Sequence, residues 1–165
     1  MSRIYLILIF FICHGAVKGQ DFREEYINFA DEHHAKHDYI TAIEYYKKAL
    51  EIDSNDLSVL WKYGESLRLY RDYRNAETVF EKVFNIEGTK KHYRSIYNLA
   101  QMQKHNGKYE DALNSFKIAK KKYVSDRRGY LYQKSKQEIQ SCLWAKKAQL
   151  DTVEVKTQYL PSHIN

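Results

Sequence analysis

One spacing of residues occurs three times along the chain and limits what it can fold into. Tyr is followed by Ala three residues on, by Tyr or Phe four residues further, and by Ala or Val after three more. The copies are HDYITAIEYYKKAL from His37, RDYRNAETVFEKVF from Arg71 and NGKYEDALNSFKIA from Asn106. Offsets of three and four place these residues on one face of a helix, and a period of about 34 residues is typical of a helical repeat array.

A second segment of helical apolar spacing precedes each copy. Its small residue is Ala30, Gly64 or Ala100, which stands where two helices must cross closely. Each unit is therefore interpreted as a helix, a short turn and a second helix. Only one Pro and six Gly occur in 165 residues, so the composition also favours helix. We predict an all-α fold with three such units, at about 23–56, 57–90 and 93–124.

The third unit carries the clearest resemblance to a known family, the tetratricopeptide repeat. The matching residues are Leu99, Ala100, Gly107, Tyr109, Ala112, Phe116 and Ala119. The chain departs from the family pattern at His33, Leu67 and Gln103, which stand where Tyr is usual, and it lacks the helix-ending Pro. The resemblance covers roughly Arg23 to Val124 and implies a right-handed α-solenoid. It also implies binding of another protein without catalytic activity.

The segment after the third repeat is predicted to close the solenoid. Residues 125–150 keep helical apolar spacing over a long stretch, and Ser125 and Asp126 are good candidates for the N-cap. A stack of repeats needs its last apolar face covered, so we expect one long C-terminal capping helix here. Residues 151–165 alternate Val153 with Val155 and then reach Pro161, which indicates a strand or a linker leading away from the repeats. We predict a linker or a disordered tail here.

The first nineteen residues are predicted to be a secretory signal peptide. Arg3 precedes an apolar run from Ile4 to Ile12, and small residues follow before Gln20. The run ends at His14, well short of the roughly 20 apolar residues that a spanning helix needs. We therefore expect cleavage after Gly19 and export of the chain.

A second resemblance concerns the whole arrangement of the chain. The signal, the three repeats, the closing helix with SCLWAKKA and the LPSHIN exit resemble the N-terminal segment of Bacteroidota OmpA-family outer-membrane proteins. That resemblance implies a location in the periplasm or at the outer membrane. It also implies a role in cell-envelope or secretion-machinery assembly and association with the outer membrane or with peptidoglycan-linked assemblies.

The charges are distributed unevenly between the two halves of the chain. Residues 21–87 contain nine basic and fifteen acidic residues, whereas residues 88–136 contain thirteen basic and three acidic ones. The basic half favours an acidic partner, so binding of anionic lipid or polysaccharide is the alternative function. Solvated helix faces also produce such a pattern. For an exported protein, nucleic acid is not an expected partner.

No motif supports an enzyme or a cofactor site. The sequence has no Gly-rich phosphate loop, nucleophile elbow or zinc-protease pattern. His33 and His37 are four residues apart and resemble half of a divalent-metal site, but a zinc site needs three or four converging ligands. Cys142 is the only Cys after residue 19 and is expected to be a buried helix residue. We predict no catalytic residues, no metal and no cofactor.

The candidate site is instead the groove that the tetratricopeptide resemblance implies along the first helix of each repeat. Trp and Tyr anchors beside charged residues would suit an extended or helical segment of another protein. Counting from the start of each repeat, the groove is predicted to contain Ile27, Asp31, His34, Trp61, Glu65, Arg68, Arg94, Tyr97, Gln101 and Lys104. A clamp for a C-terminal carboxylate, known in some relatives, is not expected, because Ile27, Asp31, Lys62 and Asn98 take most of its places.

Overall fold

The computed structural model describes residues 22–87, 93–126 and 129–151, and within them it is a row of antiparallel helices. Six helices form three consecutive pairs, and the main packing is between helices that follow one another in the chain. The helices are α1 (22–35), α2 (Tyr39–Ile52), α3 (Leu57–Leu69), α4 (Tyr73–Glu87), α5 (Tyr93–His105), α6 (Tyr109–Lys122) and α7 (Tyr130–Leu150), with a short 3-10 turn at Val124–Asp126. The prediction of an all-α solenoid of helix-turn-helix repeats with a closing helix is confirmed.

The repeated spacing forms the core of the solenoid. Ala42, Ala76 and Ala112 are fully buried at equivalent points of α2, α4 and α6, because a small side chain lets the paired helices approach. The aromatic residue four positions later fills the adjacent space and is at most 1% exposed in each repeat. These aromatic residues are Tyr46, Phe80 and Phe116. The predicted equivalence of the three copies is therefore confirmed at the level of packing.

The small residue of the first helix in each pair is buried for the same reason. Ala30 and Ala100 are fully buried, and Gly64 lies directly against the second helix of its own repeat. A Cβ atom placed on Gly64 would stand 3.0 Å from the ring of Phe80 and 3.2 Å from the side chain of Val79. A larger residue at this crossing would therefore need the Phe80 ring and the Val79 side chain to shift by a few tenths of an ångström.

The turns inside the three repeats share one backbone geometry. His37, Arg71 and Gly107 adopt φ values of 63°, 68° and 75°, the left-handed region that follows many helix ends. In each turn the next amide donates to the carbonyl five residues earlier, as in the bond from Asp72 to Leu67 at 2.9 Å. The second helix of the repeat begins directly after the residue that donates this amide. The turn predicted before each second helix is thus one repeated structural unit.

Helix α7 packs against α6 and covers the end of the core. Cys142 and Ser135 are fully buried, and burial raises the pKa of the Cys142 thiol. Lys104 of α5 forms an ion pair with Glu138 at 2.7 Å, which ties α7 to the third repeat. Cys142 is a buried helix residue, as predicted.

The start of α7 differs from the sequence-based expectation. Val124–Asp126 forms a separate 3-10 turn, and α7 begins only at Tyr130. Its N-cap is Gly129 in an extended conformation, with no side-chain hydrogen bond to the helix. Ser125 and Asp126 are therefore not the N-cap of α7, because they belong to this separate turn and Gly129 directly precedes the helix.

Some expectations lie outside the described residues. The signal peptide of residues 1–19 and the tail of residues 152–165 belong to these segments, as do 88–92 between the second and third repeats. None of the helices in the described ranges is both long and apolar enough to cross a membrane.

Candidate functional site

A cavity of about 410 Å³ lies where α3, α5 and the first turn of α7 meet. Helices α3 and α5 are the first helices of the second and third repeats, and α7 follows them in the row. Residues from all three helices therefore reach one concavity. Its lining consists of Trp61, Glu65, Arg68, Arg94, Tyr97, Asn98, Gln101, Tyr130 and Leu131.

Two aromatic residues in the lining are held by the core behind them. The ring of Trp61 meets Phe80 edge-on at 5.5 Å, and the ring of Tyr97 meets Phe116 in the same way at 5.6 Å. Tyr97 is only 5% exposed, and burial raises the pKa of its phenol. The cavity thus has a rigid aromatic lining whose orientation is set by the repeat core.

A hydrogen-bonded group forms the polar part of the cavity. Within α3, Arg68 Nη2 donates to Oε2 of Glu65 at 2.7 Å, and Arg68 Nε is shared between Oε2 at 3.2 Å and Oε1 at 3.3 Å. Asn98 of α5 donates to Oε1 of Glu65 at 2.8 Å. Gln101 donates to the hydroxyl of Tyr97 at 3.2 Å. These bonds hold the facing sides of α3 and α5 in a defined arrangement.

Among the charged residues that line the cavity, Arg94 is the one that forms no ion pair with another described residue. Its side chain is exposed at the first turn of α5. Glu65 and Arg68 neutralise one another, so among the described residues Arg94 gives the cavity lining one net positive charge. Tyr123 lies within the field of this charge, and burial raises the pKa of its phenol to about 12. An anionic group would therefore be favoured at the Arg94 side of the cavity.

Six of the ten predicted groove residues line this cavity, and the other four do not. Asp31 accepts hydrogen bonds from the Tyr46 hydroxyl at 2.5 Å and from Lys62 at 2.6 Å, so it joins α1 to α2 and α3. Burial and this bond raise the pKa of Tyr46. Ile27 is partly buried against the core cluster of the first repeat. Both residues are used for contacts between helices.

His34 and Lys104 are also engaged by neighbouring helices. His34 Nδ1 lies 2.8 Å from the hydroxyl of Ser66 in α3, and Lys104 is paired with Glu138 of α7. The cavity is therefore limited to the second repeat, the third repeat and the closing helix. It does not extend along α1.

Three lining residues were not among the predicted groove residues. Asn98 lies four residues after Arg94 and three before Gln101, so its position on the same helix face was readable from the sequence. Tyr130 and Leu131 belong to the first turn of α7. Nothing in the local sequence indicates that this turn folds back to the groove, because its position depends on the packing of α7 on α6.

The histidines considered as metal ligands have other partners. His33 Nδ1 lies 2.9 Å from Asp38, and His37 Nδ1 lies 2.8 Å from the hydroxyl of Tyr39. Within the ranges that the structure describes, no three His, Cys, Asp or Glu side chains are grouped in a way that could hold a metal ion.

The comparison with known proteins agrees with this architecture. Residues 26–56, which span most of α1 and all of α2, match the family model "Tetratricopeptide repeat". The fold is a tetratricopeptide-repeat solenoid. No curated protein sequence matches the chain.

Solved tetratricopeptide-repeat structures superpose on most of the chain. The TPR2B domain of yeast Sti1, in a pHsp70 complex, has a TM-score of 0.62 and 17% identity, and the match covers 74% of this chain and 97% of that domain. The type III secretion translocator chaperone SycD of Yersinia enterocolitica has a TM-score of 0.66 and 13% identity, with 78% and 88% covered. SycD in complex with a peptide of the translocator YopD has a TM-score of 0.65 and 13% identity, with 76% and 95% covered. At these identities the likeness concerns the fold alone.

Proposed function

We propose that this protein is an interaction scaffold that holds a segment of a partner protein in the cavity between α3, α5 and α7. The observation that carries the proposal is the lining itself, in which fixed aromatic rings stand beside hydrogen-bonding side chains on three helices. Interfaces of this kind use aromatic anchors in pockets surrounded by polar contacts. The function is binding, and none of the lining residues is assigned a chemical step.

The chemistry of the lining indicates which segment would fit. Trp61 and Leu131, together with the edge of the mostly buried Tyr97, offer apolar surface for an apolar side chain of the partner. Arg94 is exposed and has no ion pair among the described residues, so it favours a carboxylate on the same segment. We therefore propose an extended or helical segment in which an acidic residue lies next to apolar ones.

The similar proteins support binding of a peptide in this kind of fold. The TPR2B domain of Sti1 forms a complex with pHsp70, and SycD forms one with a peptide of the translocator YopD. These two structures match 74% and 76% of this chain. Their partners belong to those proteins, and the segment proposed here is defined only by its chemistry.

The proposed location is the cell envelope. It rests on the features of residues 1–19, a basic start, a short apolar run and small residues before Gln20, which are typical of an exported chain. The resemblance to the first segment of OmpA-family outer-membrane proteins supports a role in envelope or secretion-machinery assembly. Fractionation of cells that produce the full chain tests this, since a product that keeps residues 1–19 and stays in the cytoplasm would contradict it.

Selection from a library of displayed peptides tests the groove. Peptides that bind the protein should be enriched in acidic and apolar residues, and the variant Arg94→Glu should bind them at least about tenfold more weakly because it reverses the charge in the cavity. Arg74→Glu is a matched control, since Arg74 is also exposed but lies on α4, away from the lining.

The two variants make the outcome clear. Loss of binding in Arg94→Glu with full binding in Arg74→Glu supports the proposal. Equal loss in both variants would indicate a response to overall charge, as expected for an anionic surface binder, and would contradict recognition in the groove. Unchanged affinity in both variants would also contradict recognition in the groove.

A further inference from the structure

The first and last of the described helices, α1 and α7, expose apolar side chains, although the ends of a repeat array normally carry a polar outer face. At the first end, Phe22 and Phe29 of α1 are 54% and 40% exposed. At the other end, Leu143, Trp144 and Leu150 of α7 are 45%, 78% and 84% exposed. These residues do not contribute to the cavity between α3, α5 and α7.

The exposed residues of α1 form one face, which we call the α1 end face and define as Phe22, Glu25 and Phe29. The steps of three and four residues align these side chains along the helix. Phe29 packs beside Tyr45 of α2 at a ring distance of 4.3 Å, so the face continues onto the second helix. Glu25 is exposed between the two Phe residues and has no ion pair within the described part of the chain.

The exposed residues of α7 form a corresponding face, which we call the α7 end face and define as Leu143, Lys147 and Leu150. Trp144 lies beside it, and the buried Cys142 marks the opposite side of the helix. Lys147 is exposed between the two Leu residues, and no described carboxylate pairs with it. Each end face therefore presents one uncompensated charge between two apolar side chains, and the two charges are opposite.

The spacing of the two faces is complementary when the helices are antiparallel. From N- to C-terminus, the α1 end face has Phe22, then Glu25 three residues on, then Phe29 four further. From C- to N-terminus, the α7 end face has Leu150, then Lys147 after three and Leu143 after four more. Antiparallel packing would thus bring apolar residues together at both sides of a Glu25–Lys147 pair.

The charge of the two helices agrees with this pairing. The described part of α1 has one basic and four acidic residues, whereas α7 has four basic and one acidic. Consecutive helices of the solenoid already pack antiparallel, and α7 has no following helix among the described residues. We propose that copies of this chain associate head to tail, with the α1 end face of one copy packed antiparallel on the α7 end face of the next.

This association joins two different surfaces, so it leaves a free face at each end of the assembly. Such an interface adds further copies unless the rotation closes a ring. Sedimentation velocity of the purified protein should therefore show dimers, trimers and larger species as the concentration rises. The association should weaken when the salt concentration rises from about 0.05 M to about 0.5 M, since one ion pair and two oppositely charged helices contribute.

Two blocked variants test the direction of the association. Phe22→Ser with Glu25→Lys blocks the α1 end face, and Leu150→Ser with Lys147→Glu blocks the α7 end face. All four positions are exposed and lie near helix ends, so the fold should be retained, which circular dichroism checks. Each variant alone should be a monomer with at least about tenfold weaker self-association. An equimolar mixture should form a dimer and stop there, since each variant keeps one intact face.

A matched control carries the same kinds of change on another helix. Ile118→Ser with Lys117→Glu alters exposed residues of α6 and should assemble like the unchanged protein. A dimer that survives in either blocked variant would contradict the proposal, as would a mixture that remains monomeric. An unchanged protein that is monomeric at every concentration would also contradict it and would assign the end faces to another segment or another protein.

Discussion

At the scale of single residues, the turns of the three repeats show how backbone geometry and residue type are matched. All three turns place one residue in the left-handed region, but only the third uses glycine there. Non-glycine residues in this region cost about 1 kcal/mol because Cβ crowds the following carbonyl. His37 and Arg71 therefore each hold the backbone in a less favourable state, and the chain tolerates it because the turn bonds are complete.

The first prediction concerns Arg71. Arg71→Gly should raise the free energy of unfolding by about 0.5 to 1 kcal/mol, because glycine adopts the same φ without crowding. Gly107→Ala should lower it by about 1 kcal/mol through backbone strain alone, since a Cβ at Gly107 meets no atom within 4 Å. Urea unfolding measures both changes. Arg74→Gly, inside α4, is the control and should be destabilising, so a gain there would contradict this explanation.

The second prediction concerns His105, which stacks on Tyr73 at a ring distance of 4.2 Å. His105 remains exposed at one side, and its partial desolvation, followed by the positive charge of Lys104, lowers the pKa of the imidazole in the folded protein. The folded state therefore favours the neutral ring. Stability from this group is present above the ordinary His pKa and decreases as the pH falls through about 6.5 and below.

Replacing the imidazole tests whether His105 contributes to the loss of stability at low pH. His105→Phe keeps a ring on Tyr73 but does not titrate, so the loss of stability between about pH 8 and about pH 5 should be smaller than in the unchanged protein. Denaturation midpoints at a series of pH values give the comparison. An identical pH dependence in the two proteins would show that His105 does not contribute to it.

At the scale of helices, Glu77 links neighbouring repeats. It is only 8% exposed on α4, and its two carboxylate oxygens accept from Asn106 at 2.6 Å and from Lys108 at 2.7 Å. Asn106 also donates to the backbone carbonyl of Tyr73 at 3.1 Å. One side chain thus fixes the turn between α5 and α6 on the second helix of the preceding repeat.

The third prediction follows from this bridge. Glu77→Ala should lower the free energy of unfolding by about 1 to 2 kcal/mol, because it leaves the partly buried amide of Asn106 without one of its acceptors. Glu81→Ala is the matched control on the same helix, since Glu81 is exposed. Thermal unfolding of the two variants is the measurement. Equal effects would mean that the bridge between the repeats adds nothing to stability.

At the scale of the whole molecule, the periodic features were the ones that the sequence alone could predict. Ala42, Ala76 and Ala112 are buried because close helix crossings need small residues, and this requirement is visible as a simple spacing. The start of α7 was not predictable in the same way. Gly129 caps it without a side-chain bond, so no local signal marks the position.

The residues of the groove also divide into those that the sequence could predict and those whose role depends on tertiary packing. Trp61, Tyr97 and Gln101 were predicted from the tetratricopeptide resemblance, which implies a groove along the first helix of each repeat, and they line the cavity. Asp31 has an equivalent position in the first repeat but is engaged by Tyr46 and Lys62, which are distant in sequence. Whether a side chain on the expected face remains available thus depends on tertiary neighbours, and one sequence does not report them.

The central claim is that a partner segment binds between α3, α5 and α7, and the two Trp residues of the chain allow a direct test. Trp61 lies in the cavity, whereas Trp144 is 78% exposed beside the α7 end face. A two-dimensional ¹H–¹⁵N spectrum of the protein should show one indole signal for each. Adding a selected acidic-apolar peptide should shift the Trp61 signal and leave the Trp144 signal in place. A shift of Trp144 with Trp61 unchanged, or of neither, would contradict binding in the groove.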